Sequence, residues 1–94
     1  TYLSPEERNK ALAISASLRQ AEEMFKTGTR DAGAIKKAVT DILLKEEGIN
    51  VEYVDICDAM TLEDIPRLER KAVLAIACRV GKTRLIDNTL LTEA

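Results

Sequence analysis

The sequence predicts an α+β domain in which two amphipathic helices pack on a small three-stranded antiparallel sheet. In the first half of the chain, apolar residues recur every three or four positions, which indicates helices. The second half contains short runs rich in β-branched residues, which indicate strands. A chain of 94 residues, 46% hydrophobic and 32% charged, fits one globular unit with a thin core, so we expect residues 1–94 to form a single domain.

The first helix is predicted over about residues 5–26. At its start, Ser4 can cap the amide of Glu7 while the Glu7 carboxylate reaches back to the amide of Ser4, and Pro5 occupies the first helical position. One apolar face follows, formed by Ala11, Ile14, Leu18, Ala21 and Phe25. We expect Gly28 to end the helix in a left-handed conformation.

A second helix is predicted between an N-cap at Asp31 and a terminator at Gly48. Its apolar stripe consists of Ile35, Ala38, Val39, Ile42 and Leu43. The short loop around Gly28 favours antiparallel packing of the two helices. Gly33 lies early in this helix, where glycine weakens helical structure, and no pattern in the sequence explains it.

Three strands are predicted, at residues 50–56, 71–80 and 83–87. The run at 71–80 is apolar and rich in alanine, so its periodicity would equally allow a helix, but its β-rich neighbours favour a strand. A two-residue turn at 81–82 predicts a hairpin between the last two strands. Residues 61–66 form a connection that can include one helical turn capped by Thr61.

The central strand is apolar on both faces, whereas two helices can cover only one face of the sheet. Part of the other face should therefore form an exposed apolar patch, which usually marks a contact surface. Either a further domain of the same protein or a second copy of the chain could cover it.

Composition argues against several classes of partner. The net charge is −2 and no long basic run occurs, so we expect no nucleic-acid or membrane partner. No apolar stretch approaches the ~20 residues of a membrane span and the start lacks a signal-peptide pattern, so a cytoplasmic location is expected. Histidine is absent, and no metal site is expected from Cys57 and Cys78 or from Asp55 and Asp58. Free thiols are favoured over a cross-strand disulfide.

No catalytic constellation is evident. Ser4 is explained as a helix cap, and the adjacent acidic pairs fit solvated surface. The polar cluster most open to a functional role lies at 83–88, where Arg84 and Asn88 should point to the same side of a strand. Arg84 either makes an ion pair or faces an anionic ligand or a neighbouring domain.

Two segments carry a resemblance to a known family. Residues 2–8 read Tyr-Leu-Ser-Pro-Glu-Glu-Arg, and residues 81–88 read Gly-Lys-Thr-Arg-Leu-Ile-Asp-Asn. With the Val-Glu-Tyr-Val run at 51–54 and Asp58 ahead of Thr-Leu at 61–62, they resemble in order and spacing the C-terminal domain of the pantoate–β-alanine ligase family. The resemblance covers essentially the whole chain, and its first and last segments are the specific ones.

The resemblance implies an activity that this chain does not carry alone. Enzymes of that family condense pantoate with β-alanine through a pantoyl adenylate, using ATP and magnesium, to give pantothenate for coenzyme A. Nucleotide binding belongs to an N-terminal Rossmann-like domain whose motifs are absent from this sequence. The resemblance therefore carries over no catalytic, cofactor-binding or metal-binding residue, and no cofactor is expected in the fragment. The whole enzyme is expected to be a homodimer.

We therefore predict a C-terminal lid domain that is inactive alone and whose partner is its own N-terminal domain. A lid that excludes water would protect the adenylate and gate substrate entry. Tyr2, Arg84 and Asn88 are the residues expected to face that domain or a ligand. The alternative hypothesis is an autonomous interaction module that self-associates through the exposed sheet face. A small enzyme of unknown type is disfavoured because no nucleophile–base pair is evident.

Overall fold

The computed structural model describes residues 4–92, and these form two helices packed on a three-stranded antiparallel sheet, which confirms the predicted fold class. The helices are α1 (Pro5–Lys26) and α2 (Ala32–Leu44), and the strands are β1 (Ile49–Asp58), β2 (Ala72–Val80) and β3 (Thr83–Leu91). The strand order is β1–β2–β3. The apolar run at 71–80 forms the central strand and not a helix, because β2 pairs with a neighbour on each side.

Both predicted helix caps are present. The amide of Glu7 donates to Ser4 Oγ at 3.1 Å, and the amide of Ser4 donates to the Glu7 carboxylate at 2.9 Å. Asp31 Oδ1 accepts from the amide of Gly33 at 2.9 Å. A Cβ at position 33 would lie 3.3 Å from the same Oδ1, so a glycine lets the capping carboxylate approach the backbone closely. Gly33 thus has a structural role that the sequence did not reveal.

The ends of three elements differ from the prediction. Gly28 follows α1 with a φ of 109°, as expected, but α2 ends at Leu44, and Gly48 lies beyond it at the turn into β1. β1 and β3 are longer than predicted because backbone pairing with β2 continues to Asp58 on one side and to Leu91 on the other. Strand length is set by this pairing, which local composition does not encode.

No helical turn begins at Thr61, contrary to one reading of the sequence; a single turn lies just before it, where the Leu62 amide donates to the Asp58 carbonyl at 2.8 Å. The carboxylate of Asp58 organises this connection instead: its Oδ1 accepts from the amides of Met60 and Thr61 at 2.8 and 3.1 Å. Its Oδ2 accepts from Arg70 Nε at 2.7 Å. Asp58 is 4% exposed, and the bond to Arg70 is the leading reason why its pKa lies below the usual value.

One face of the sheet packs against the helices and forms the core. The core side chains are at most 9% exposed and come from both helices and all three strands: Ile14, Leu18, Phe25, Ile35, Val39, Leu43, Ile49, Ile56, Leu74, Ile76, Cys78, Val80 and Leu91. Because α1 and α2 both lie on this face, they leave the opposite face for other contacts.

Candidate functional site

The face of the sheet turned away from the helices is the candidate site, and no helix among residues 4–92 lies on it. Strand pairing arranges most of its side chains in three rows across the sheet: Cys57–Val73–Leu90, Asp55–Ala75–Asn88 and Tyr53–Ala77–Ile86. At one end, Arg79 pairs with Asn50 of β1 and with Arg84 of β3, and Glu52 contacts both arginines through its side chain. Ile86 and Leu90 are 57% and 48% exposed. We call this surface the open face. It contains the exposed apolar patch that the sequence predicts.

Small side chains line the middle of the open face. β2 contributes Ala75 and Ala77, whereas larger apolar residues, Tyr53 and Ile86, stand opposite Ala77 on the neighbouring strands. Ala77 has no exposed surface although no helix covers it, so its two neighbours shield it from solvent.

A β-bulge in β1 directs Glu52 to the open face. Val51 pairs with Cys78 and Tyr53 pairs with Ala77, which leaves Glu52 as the extra residue. Val51 therefore packs toward the core while Tyr53 faces the other side. The sequence contained a signal for this bulge that the predictions missed: apolar residues that face the helices occur at 49, 51, 54 and 56, with a three-residue step in the middle.

At one end of the open face, two arginines share the carboxylate of Glu52. Arg84 Nε donates to Glu52 Oε1 at 2.6 Å, and Arg79 Nε donates to Oε2 at 3.4 Å. Arg84 and Arg79 are direct cross-strand partners, with side chains 48% exposed. The hydrogen bond from Arg84, and then the contact with Arg79, lower the pKa of Glu52, and Glu52 raises the pKa of Arg84.

Arg84 and Asn88 lie on the same side of β3, and their facing a ligand or a neighbouring domain stays a prediction. Both side chains are on the open face, as strand periodicity predicts, and Ile86 separates them. Arg84 makes the ion pair that was one of its two predicted roles. Tyr2 lies outside the described residues. Sequence reasoning missed Glu52 and Arg79 because their contacts depend on strand register.

The residues considered for metal and thiol chemistry do not converge. Asp55 lies on the open face, whereas Asp58 lies on the side of the core. Across residues 4–92, no group of three or more His, Cys, Asp or Glu side chains could hold a metal ion. Cys57 and Cys78 are free thiols, and burial raises the pKa of Cys78. Neither helix of the described part is long and apolar enough to cross a membrane.

Comparison with known proteins identifies the family. The family model for pantoate-beta-alanine ligase matches residues 1–90. The chain belongs to the pantoate–β-alanine ligase family. This confirms the resemblance carried by its first and last segments.

Similar proteins of this family are about three times as long as the chain. Pantothenate synthetase from Thermotoga neapolitana is 48% identical over 90 residues, which are 96% of this chain and 32% of the relative. The corresponding enzyme from Pseudothermotoga lettingae is 45% identical over 92 residues, or 98% of this chain and 33% of the relative. The crystal structure of pantothenate synthetase from Thermus thermophilus superposes with a TM-score of 0.86 at 27% identity, covering 97% of this chain and 33% of that one.

The two segments that resemble the pantoate–β-alanine ligase family meet in space. Glu7, from the first segment, accepts a hydrogen bond from the Thr83 hydroxyl of the last segment. This bond, followed by the one from the Ser4 amide, holds the pKa of Glu7 below its usual value. The contact joins the start of α1 to the hairpin that carries Arg84 at one end of the open face.

Proposed function

We propose that this chain is the C-terminal lid domain of a pantoate–β-alanine ligase. The whole enzyme would condense pantoate with β-alanine at the expense of ATP, with magnesium, through a pantoyl adenylate. In this proposal the catalytic machinery belongs to an N-terminal domain, and the 94-residue chain alone has no ligase activity. The proposal includes a homodimer of the whole enzyme, formed by the N-terminal domain.

One observation carries the lid proposal: within residues 4–92, one complete face of the sheet has no helix over it. Ile86 and Leu90 expose 57% and 48% of their surface there, and large apolar side chains grouped on one face often mark a contact surface. In the proposal, the open face turns toward the nucleotide-binding domain. Arg84 and Asn88 would then lie at the interdomain surface, as the sequence suggested.

The reactivity of an acyl adenylate with water explains why a lid would be useful. The mixed anhydride reacts readily with water, so a domain that closes over it would favour attack by the amine of β-alanine over hydrolysis. Repeated opening would admit substrates and release products. The present chain would supply shape and exclusion of water, without a residue that forms or breaks a bond.

A chimaera tests this proposal. The present chain would replace the corresponding third of pantothenate synthetase from Thermotoga neapolitana, which is 48% identical to it. We expect the chimaera to form pantothenate from pantoate, β-alanine and ATP. The truncated relative and the isolated chain should each be inactive. Ligase activity of the isolated chain, or full activity of the truncated relative, would rule out a non-catalytic lid.

Matched substitutions in the chimaera test which face docks. Ile86→Asp places a charge on the open face, and Leu44→Asp places the same charge on an exposed leucine of α2. Ile86 is 57% exposed and Leu44 is 64% exposed, so neither change removes much core packing. We expect Ile86→Asp to lower ligase activity at least about tenfold and Leu44→Asp to leave it nearly unchanged. The reverse order would move the docking surface to the helices.

Self-association is a second candidate function of the same surface. The exposed apolar side chains of Ile86 and Leu90 favour it, since a second copy could cover them. Analytical ultracentrifugation of the isolated chain distinguishes the two. A dimer at micromolar concentration that Ile86→Asp disrupts would support self-association, whereas a monomer would favour a partner domain.

A further inference from the structure

We infer that Arg79 and Arg84, at one end of the open face, form a binding site for a polyphosphate anion, with Glu52 as an internal counter-ion. The inference goes beyond the lid proposal because it concerns a ligand held by this chain itself. The anion site is tested by ligand binding to the isolated chain, so a negative result would not contradict the lid proposal. Likewise, an inactive chimaera would not contradict the anion site.

The geometry of the pair is the first support. Arg79 and Arg84 are direct cross-strand partners on one face, and like charges in that position destabilise a sheet. The bulge in β1 brings Glu52 against both guanidinium groups. One carboxylate therefore balances two cations, and the cluster keeps a charge of about +1 on a chain whose net charge is −2.

Glu52 uses only part of the hydrogen-bonding capacity of the two arginines. Its bond to Arg84 is short, at 2.6 Å, whereas its contact with Arg79 is 3.4 Å, near the limit for a hydrogen bond. Both contacts use Nε, and a guanidinium carries five N–H donors. Among residues 4–92, no second carboxylate lies within ion-pair distance of either arginine. Most of the donor capacity of the pair is thus directed at solvent.

A phosphate fits this donor set better than a protein carboxylate does. Each guanidinium group presents a planar pair of N–H donors, which we call a fork. Each fork matches a pair of oxygens on a phosphate group. A carboxylate offers only two oxygens, which Glu52 already supplies. A diphosphate carries more oxygens and more negative charge, so it could engage both forks at once.

Titration of the isolated chain with pyrophosphate tests the inference. The readout is the NMR signal of the side-chain Nε–H groups of Arg79 and Arg84. We expect saturable shifts of both signals, weakened by added salt because the site is exposed. Orthophosphate should bind at least about tenfold more weakly because it cannot span both forks. Shifts that do not saturate, or that are equal for chloride and pyrophosphate, would overturn the inference.

Three variants and a control distinguish a specific binding site from general electrostatic attraction of anions. Arg84→Gln should weaken pyrophosphate binding at least about tenfold, as the loss of a charged hydrogen-bond donor predicts. Arg84→Lys keeps the charge but loses the fork, so it should weaken binding almost as much. Glu52→Gln removes the internal competitor and should tighten binding several-fold. Lys26→Gln makes the same charge change on an exposed residue of α1 and should have little effect.

The Glu52→Gln variant gives the sharpest test. If Glu52 formed only a structural ion pair with the arginines, Glu52→Gln would leave the affinity for pyrophosphate unchanged. Equal losses in Arg84→Gln and Lys26→Gln would likewise mean that net charge alone attracts the anion. Either result would contradict a polyphosphate site. Backbone amide spectra of each variant show whether the fold is retained before its affinity is compared.

Discussion

Glu7, in the first turn of α1, accepts a hydrogen bond from the hydroxyl of Thr83, the first residue of β3. A second carboxylate on the same helix repeats the arrangement, since the Thr89 hydroxyl donates to Glu22 at 2.5 Å. Glu22 follows Glu7 by fifteen positions, a helical rise of about 22 Å. Thr89 follows Thr83 by six positions, a strand rise of about 20 Å. The matched lengths let α1 lie along β3 with a contact near each end.

The first prediction concerns the pH dependence of the Glu7 contact. The pKa of Glu7 lies below 4.5 in the folded chain, chiefly because of the bond from Thr83. The charged form therefore stabilises the fold above about pH 4.5, and this contribution is lost as the pH falls through the folded pKa. We expect Glu7→Gln to be less stable than the unsubstituted chain at pH 7, and we expect this difference to shrink as the pH falls through the folded pKa of Glu7. Urea unfolding across this range measures the difference.

Thr83→Val and Glu6→Gln are the controls for that experiment. Thr83→Val removes the leading cause of the pKa shift, so it should shrink the pH-dependent effect of Glu7→Gln. Among residues 4–92, no hydrogen bond joins β3 to the Glu6 side chain, so Glu6→Gln is the control that removes a carboxylate from the same turn without breaking such a contact. A Glu7→Gln effect that persists unchanged at low pH would point to packing and not to charge.

The second prediction compares two isoleucines on opposite faces of adjacent strands. Ile76 is fully buried against the helices, whereas Ile86 is 57% exposed on the open face. Ile76→Ala should lower the free energy of unfolding by about 2–5 kcal/mol, since it leaves a cavity in the core. Ile86→Ala should lower it by less than about 1 kcal/mol. Equal losses in urea unfolding would mean that something covers the open face in the isolated chain.

The third prediction concerns the connection from β1 to β2. Asp58 holds the amides of Met60 and Thr61 and the guanidinium of Arg70. Asp58→Ala should accelerate hydrogen exchange at those two amides by at least about tenfold, because both lose a charged acceptor. Asp55→Ala, three residues away on the open face, should leave them unchanged. Slow exchange in Asp58→Ala would show that backbone contacts suffice to order the connection.

The fourth prediction uses the left-handed conformation of Leu62. Its φ is 61°, the only positive value at a non-glycine residue among those described. Relief of this strain in Leu62→Gly is worth about 1–2 kcal/mol, against about 0.5–1 kcal/mol of added chain entropy. Because Leu62 is 71% exposed, little packing is lost, and the variant should be as stable as the unsubstituted chain or more so. Met60→Gly, without that relief, should lower the midpoint of thermal unfolding.

Local chemistry explains what could be predicted from the sequence. The caps at Ser4 and Asp31 depend on groups two or three residues away, so a short window contains all that is needed. The placement of Arg84 and Asn88 on the same face depends only on the two-residue period of a strand. The alanine-rich central strand was harder to predict, because its composition suits a helix equally well and only the neighbouring segments favoured a strand.

Long-range pairing explains what could not be predicted. Glu52 contacts Arg79 and Arg84 across 27 and 32 residues of sequence, and a shift of one residue in register would separate them. The connection after β1 is similar, since the amide of Leu68 donates to the carbonyl of Arg30 from the loop between the helices. No window along the chain contains both partners of such contacts.

The two threonine contacts along α1 also determine how the domain would respond to force. A pull on Ser4 along the helix axis would load the Glu7–Thr83 and Glu22–Thr89 contacts together in shear, whereas a pull across the axis would peel them apart in turn. Shear shares the load between both contacts and the apolar surface beneath them. A force applied at the start of α1 would therefore be distributed along the length of β3.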